Sequence, residues 1–284
     1  MPFSDALKLV AFKRSGLSPP LWMPALPVSQ STALTQTSFT RLADIGTAEP
    51  GNHFQHIYGL GDQVEILMSA VQAAINSDMR NRFHVLLWGE PGCGKTEIVR
   101  SLASMLTAYG VNVLSLDATT TTEAGIRRRF LEDRAPVPDV ITFEEIEKVP
   151  QARLRWLLGI MDDRALLMQA NFRNASSREV RALVVATAND LRRLDRMLAG
   201  ALSSRFQVKL HCPRPSRELL ARILAREVDR IGGSRRWVEP ALAYCYDTRG
   251  ISDPRTIIPV CLAGGNELMT GSYQDKLTAT KGER

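Results

Sequence analysis

The chain has 284 residues, enough for one large domain or a medium domain with a small one. Apolar residues make up 44% and charged residues 23%, an ordinary balance for a soluble globular protein. No apolar run approaches the roughly 18 residues of a membrane span, and a formal charge of +6, with Arg far outnumbering Lys, permits phosphate contacts without establishing them.

The start, MPFSDALKLVAFKRSGLSPPLWMP, carries a short apolar segment interrupted by Lys8, and reads as neither signal peptide nor anchor. Cys93, Cys212, Cys245 and Cys261 form no CxxC pair and adjoin no His cluster. Free thiols in a reducing cytosol are expected, with no zinc site. Residues 1–52 read as a poorly ordered Pro/Ser/Thr-rich leader.

From His53 strands and helices alternate. FHVLLWG (83–89) is a buried-strand run, followed by a glycine loop and the amphipathic TEIVRSLASMLTAYG. VNVLSLDA (111–118) predicts a second strand, TTEAGIRRRFLEDR a helix, and DVITFEE (139–145) a third strand. QARLRWLLGIMDD spaces Leu154, Leu157, Leu158 and Met161 as a helix does, and RALLMQANFR reads as a hairpin or an irregular excursion. RALVVATAND (181–190) and FQVKLHC (206–212) complete the strands. The alternation predicts a doubly wound parallel α/β sheet over 53–212. After Pro213 only helical patterns follow: SRELLARILAREVDRIGG (216–233) and segments near 239–247 and 254–268, a small all-helical domain over 213–284.

GEPGCGKT (89–96) fits G-x-x-x-x-G-K-[ST] in full, between a strand and a helix. Such a loop wraps backbone N–H groups of Gly89, Glu90, Pro91, Gly92, Cys93 and Gly94 (less the proline's) around phosphate, and the helix N-terminus adds its positive dipole end. Lys95 is placed at the β- and γ-phosphates and the Thr96 hydroxyl at Mg²⁺, with Glu97 next in line. Cys93 fills a free position of the motif and is given no redox role.

VITFEE ends at the same sheet edge, where ligands of such sheets gather. Glu145 is the candidate base or orienter for attacking water, and Glu144 the candidate Mg²⁺-side carboxylate. Water-mediated metal contact absorbs the extra methylene of Glu better than direct octahedral coordination does. Read alone, the pair is equally an acidic strand end in solvent.

GEPGCGKT, ITFEEIEK, VVATAND and LSSRFQ, in this order, resemble the AAA+ ATPase superfamily from residue 57 to about 265. That resemblance implies a P-loop NTPase sheet with helices on both faces, followed by a helical lid, ATP and Mg²⁺ as ligands, and ATP hydrolysis. EEIEK is similar to the family's DEIDK, with Glu144 the departure. Asn189 matches the sensor-1 residue that positions the lytic water, Arg205 in ALSSRF the arginine finger acting on a neighbour's nucleotide, and Arg255 in GISDPRTI the lid residue sensor 2. Ile57 and Tyr58 resemble the segment covering the adenine. A finger acting in trans implies a ring or open spiral of identical chains, six being the expected number.

What the motor moves is less sharply written. DATTTTEAGIRRRF has no aromatic residue at the loop tip expected of polypeptide-threading rings, and Arg127, Arg128 and Arg129 are candidate DNA contacts. The same arginines equally suit a solvated helix face or a neighbouring subunit. ALSSRFQVKLHCPRPSRE and LLGIMDDR are most similar to the branch holding clamp-loader subunits and the Holliday-junction branch-migration motor, although no winged-helix pattern follows the lid. The leading expectation is a cytoplasmic ATP-driven motor or loader on DNA, contacting it through the pore, the leader or a recruiting protein. The alternatives are a protein-remodelling chaperone without nucleic acid and a slow ATP-dependent assembly switch.

Overall fold

Five apolar runs become five parallel strands, as a sheet covered on both faces requires. The computed structural model describes residues 51–116, 122–132, 135–170 and 175–264, which fall in one compact unit. The leader expected over 1–52 lies almost wholly outside them, as does the last part of the helical segment expected to reach 268.

In chain order the strands and the α-helices of five or more residues are α1 (Gly61–Asn76), β1 (Val85–Trp88), α2 (Lys95–Ala108), β2 (Val113–Leu116), α3 (Glu123–Arg127), β3 (Val140–Phe143), α4 (Gln151–Met161), β4 (Leu166–Ala170), β5 (Ala175–Glu179), β6 (Leu183–Ala188), α5 (Leu191–Arg196), β7 (Val208–His211), α6 (Arg217–Arg230), α7 (Val238–Leu242) and α8 (Pro254–Ala263). The main sheet runs β2-β3-β6-β1-β7, all parallel, and β4 and β5 form a separate antiparallel hairpin. The excursion after α4 is therefore the hairpin of the two readings. Helix α1 had no counterpart in the sequence reading. Helix α3 is shorter than its pattern and passes into a π-turn at Arg128–Glu132. No helix among the described residues is long and apolar enough to cross a membrane.

Strand alternation assigns the core to two faces. Val85, Leu87, Leu183 and Val185 pack against α1 and α2 through Leu67, Val71, Ile98 and Leu102. Leu86, Val184, Ala186 and Phe143 pack on the other face against Leu154, Leu157 and Ile160 of α4. All six residues of β6 are buried, so the central strand has no solvent-facing side. A third core, with Leu220, Leu224, Val228, Leu242, Ile257 and Val260, holds the helices after Cys212 together.

Register places the site. Trp88 lies opposite Ala188, and Phe143 opposite Ala186, so β1, β3 and β6 end at one edge. Gly89, Glu144, Glu145 and Asn189 are the residues that leave the sheet there.

Candidate nucleotide site

The loop leaving β1 is built by backbone conformations that side chains resist. At Gly92, φ is +82°, and a Cβ there would come within 2.7 Å of the Asp253 Cα. Gly94, at φ +94°, is the residue immediately before α2. Lys95 is buried, 5% exposed, and its ammonium donates to the Gly89 and Glu90 carbonyl oxygens at 2.7 and 2.8 Å and to the Cys93 sulfur at 3.5 Å. A hydrogen bond from Cys212, opposed by burial and aided by Lys95, pushes the Cys93 thiol down to about 6. The loop thus pairs a fixed cation with a helix N-terminus, the arrangement that holds phosphate.

At the neighbouring strand ends Glu145 occupies the left-handed region, φ 50° and ψ 50°, and its backbone N–H donates to the Thr187 hydroxyl at 3.0 Å. That turn aims its carboxylate at two donors: the Asn189 amide reaches Oε1 at 2.9 Å and the Lys148 ammonium reaches Oε2 at 2.7 Å. Burial pushes the Glu145 carboxyl up. The bonds from Lys148 and Asn189, with the charges of Lys148 and Arg255, outweigh that and hold it below its usual range. Glu144 points elsewhere, to Arg100 on α2, whose Nε and guanidinium nitrogen donate at 3.1 and 3.3 Å. Arg100 is 66% exposed, so this is a solvent-screened pair.

The helices after Cys212 close over the loop. Asp253 caps α8 by accepting from the Arg255 N–H at 3.0 Å and also binds the Arg255 guanidinium at 2.8 Å. The positive charge of Arg255 is felt at Glu145. Ile57 packs on the α1–α2 core, and Tyr58 lies under the guanidinium groups of Arg222 and Arg226 at 5.0 and 5.9 Å. Glu97 is exposed and contacts His56 at 2.8 Å.

Arg205 belongs to a different place. Its Nε donates to the Asp162 carboxylate at 2.8 Å and its Nη1 to the Ala201 carbonyl at 2.7 Å, beside a concavity lined by Asp163, Arg164, Ser204 and Gln207. Among the candidate DNA contacts, Arg127 has a guanidinium that is 24% exposed and binds Glu123 at 2.6 Å, one helical turn away. Arg128 and Arg129 are exposed.

The model of the AAA domain (dynein-related subfamily) matches residues 84–206, from the foot of β1 through the loop, the carboxylates and Asn189 to Arg205. Residues 84–206 are thus an AAA domain of the AAA+ ATPase superfamily. This AAA+ chain is 32% identical over 146 residues to an "AAA ATPase forming ring-shaped complexes" of Corynebacterium glutamicum (strain R), covering 43% of this chain and 27% of that protein. It is 29% identical over 142 residues to the ribosome biogenesis ATPase RIX7 of Saccharomyces cerevisiae, covering 46% and 16%. The chain thus spans little more than a quarter, or less, of these relatives' length. A structure of a variant of RuvB from Thermotoga maritima shares the fold, with a TM-score of 0.50 at 21% identity over 79% of this chain and 65% of that one.

Within this AAA+ fold the structure brings together Lys95, Glu145, Asn189 and Arg255, and leaves Arg205 and the α3 arginines apart from them. Four participants were missed in the sequence: Lys148, Asp253, Arg100 and Thr187. Only Lys148, three residues after Glu145, and Asp253, in the helix-start pattern Asp-Pro, carried a local signal. Oxygen donors suit Mg²⁺, and the Thr96 hydroxyl and the Glu144 carboxylate supply them. Both oxygens of Glu144 are taken by Arg100, an exposed and solvent-screened partner, so a metal-side role requires that pair to open.

Proposed function

We propose that this AAA+ chain binds ATP with Mg²⁺ and hydrolyses it at interfaces between copies of itself, driving remodelling or loading on DNA. The observation that supports this best is the Glu145 carboxylate, fixed between Asn189 and Lys148 at the strand ends beside the phosphate loop.

The loop amides and the α2 N-terminus take the phosphate oxygens, and Lys95 transfers its donors from the loop carbonyls to the β- and γ-phosphates. Thr96 and Glu144 are the donors that would hold Mg²⁺, which when bound neutralises phosphate charge. Glu145, kept ionised, orients the attacking water and accepts its proton, and Asn189 fixes that carboxylate and the water's position. Arg255 reaches the γ-phosphate from the lid side. Arg205 is turned away from these residues within its own chain, and therefore serves the nucleotide of a neighbouring copy, in a ring or spiral of six.

Exposed arginines on two helices support DNA as the track. Arg153 and Arg155 at the start of α4, and Arg192 and Arg193 on α5, carry no ion pair among the described residues. The start of α4 adjoins the turn that follows α5, since the Leu198 N–H donates to Gln151 at 3.1 Å. Guanidinium groups so placed suit a phosphate backbone.

Turnover and nucleotide binding in Glu145→Gln, measured with duplex, junction and single-stranded DNA over a salt series, test both levels. Loss of turnover by about 10²-fold or more with binding retained is expected, together with stimulation by DNA that fades as salt rises. Unchanged turnover sinks the catalytic assignment. Absence of DNA binding and stimulation sinks the DNA reading and leaves protein remodelling.

A further inference from the structure

Glu147 is a buried carboxylate two residues beyond Glu145, only 2% exposed, in the short 3-10 turn Ile146–Lys148. Its Oε1 accepts the Asn189 backbone N–H at 3.0 Å, and its Oε2 has no hydrogen-bond partner among the described residues. Burying a carboxylate with one oxygen unpaired costs stability, and an apolar side chain of the same size would avoid that cost. What Glu147 supplies in return is an acceptor at a point where the sheet has none. The β3–β6 ladder ends at Phe143 opposite Ala186 and the β1–β6 ladder at Trp88 opposite Ala188, so Asn189 is the first residue beyond both.

The turn after β3 and the end of β6 are joined by three hydrogen bonds: Glu145 N–H to Thr187 Oγ1, Asn189 N–H to Glu147 Oε1, and Asn189 Nδ2 to Glu145 Oε1. Asn189 is therefore held at its backbone by Glu147 and at its side chain meets Glu145. We propose that Glu147 is a positioning residue, whose carboxylate fixes the backbone of Asn189 so that the Asn189 amide sets the direction of the Glu145 carboxylate. This rests on the ATPase reading above. Glu147 touches no reacting atom; it acts through Asn189.

The test uses the full chain, with fluorescent ATP binding, kcat, KM and thermal melting measured together. Wild-type turnover and its loss in Glu145→Gln come first; a wild-type chain without turnover defeats the ATPase reading itself. In an active wild type, Glu147→Leu fills the same buried volume without an acceptor. It should lower kcat by about tenfold or more, the equivalent of one lost hydrogen bond in the transition state, while KM and nucleotide affinity stay within about threefold. Glu147→Gln keeps an acceptor oxygen for the Asn189 N–H and should stay within about threefold of wild type.

Adding Glu147→Leu to Asn189→Ala should cost little beyond Asn189→Ala alone, because both remove the same link. Unchanged kcat in Glu147→Leu, equal losses in Leu and Gln variants, or additive losses in the double variant would each overturn the inference, leaving the ATPase reading intact. Should the Leu variant not fold, Glu147→Asp withdraws the acceptor by one methylene. A folded Asp variant with wild-type turnover overturns the proposal, and one with a lowered kcat at unchanged KM supports it.

Discussion

Two arginines of this chain, Arg255 and Arg205, are each tied to an aspartate, and their surroundings differ. Arg255 is bound to Asp253, two residues away at the start of α8, next to the glycine loop and within electrostatic reach of Glu145. Arg205 is bound to Asp162, at the end of α4, in a concavity that includes none of the loop, carboxylate or Asn189 residues. The first region gathers Lys95, Glu145, Asn189 and Arg255 within one chain. The second offers a guanidinium whose charge is balanced internally until something outside the chain competes for it. Under the proposed function, such a cation, set apart from its own chain's nucleotide, would make a shared site depend on assembly.

The largest expected effect falls on the first region. Lys95→Ala removes the ammonium held on the loop's carbonyls and should weaken ATP binding by about 100-fold or more, since charge-assisted hydrogen bonds to phosphate are lost. Isothermal titration reads this directly, and retained tight binding would mean that the loop does not hold the nucleotide. Arg205→Ala should leave binding within about threefold and lower turnover by about 10²-fold or more. Mixing it with Glu145→Gln protein should restore part of the activity, because some interfaces then join an intact Glu145 to an intact Arg205. No restoration at any ratio would place Arg205 outside a shared site and erase the contrast between the two regions.

A smaller effect, on stability, belongs to the second region. His84 is buried beneath it, accepting the Val184 N–H at Nδ1 and donating from Nε2 to the Met161 carbonyl at 3.2 Å. Burial, with the positive charge of Arg82, pushes its pKa down from 6.5 to about 4. Above pH 6.5 both folded and unfolded chains hold it neutral, so it has no pH-dependent effect there. As pH falls from 6.5 towards 4 the unfolded chain takes up a proton that the folded one refuses, and up to about 3 kcal/mol of stability is lost. Denaturant titrations should show this slope, and His84→Asn, which keeps an acceptor for Val184, should flatten it. An equal slope in the variant would remove His84 from the account.

The legibility of the site followed the distance between its parts along the chain. GEPGCGKT could be read at once because loop, lysine and threonine act through contiguous backbone. The carboxylate pair was legible as a strand end, but its division was not. Glu145 meets Asn189 over 44 positions, and Glu144 meets Arg100 over the same separation. The short α3 departs from a plain helical pattern by passing into a π-turn at Arg128–Glu132, within which Phe130 is buried. Helix α1 went unread although five of its residues are buried.

By itself the sequence determined the parallel α/β class, the phosphate loop, the apolar strands that carry it and the two carboxylates at a strand end, because each is encoded by neighbours in the chain. Only the tertiary structure decided which carboxylate meets Asn189 and which meets Arg100, that Asp253 closes on Gly92, and that Arg205 rests on Asp162. Those contacts follow from the strand order β2-β3-β6-β1-β7 and its register. Packing of the whole sheet sets that register, and no local propensity contains it.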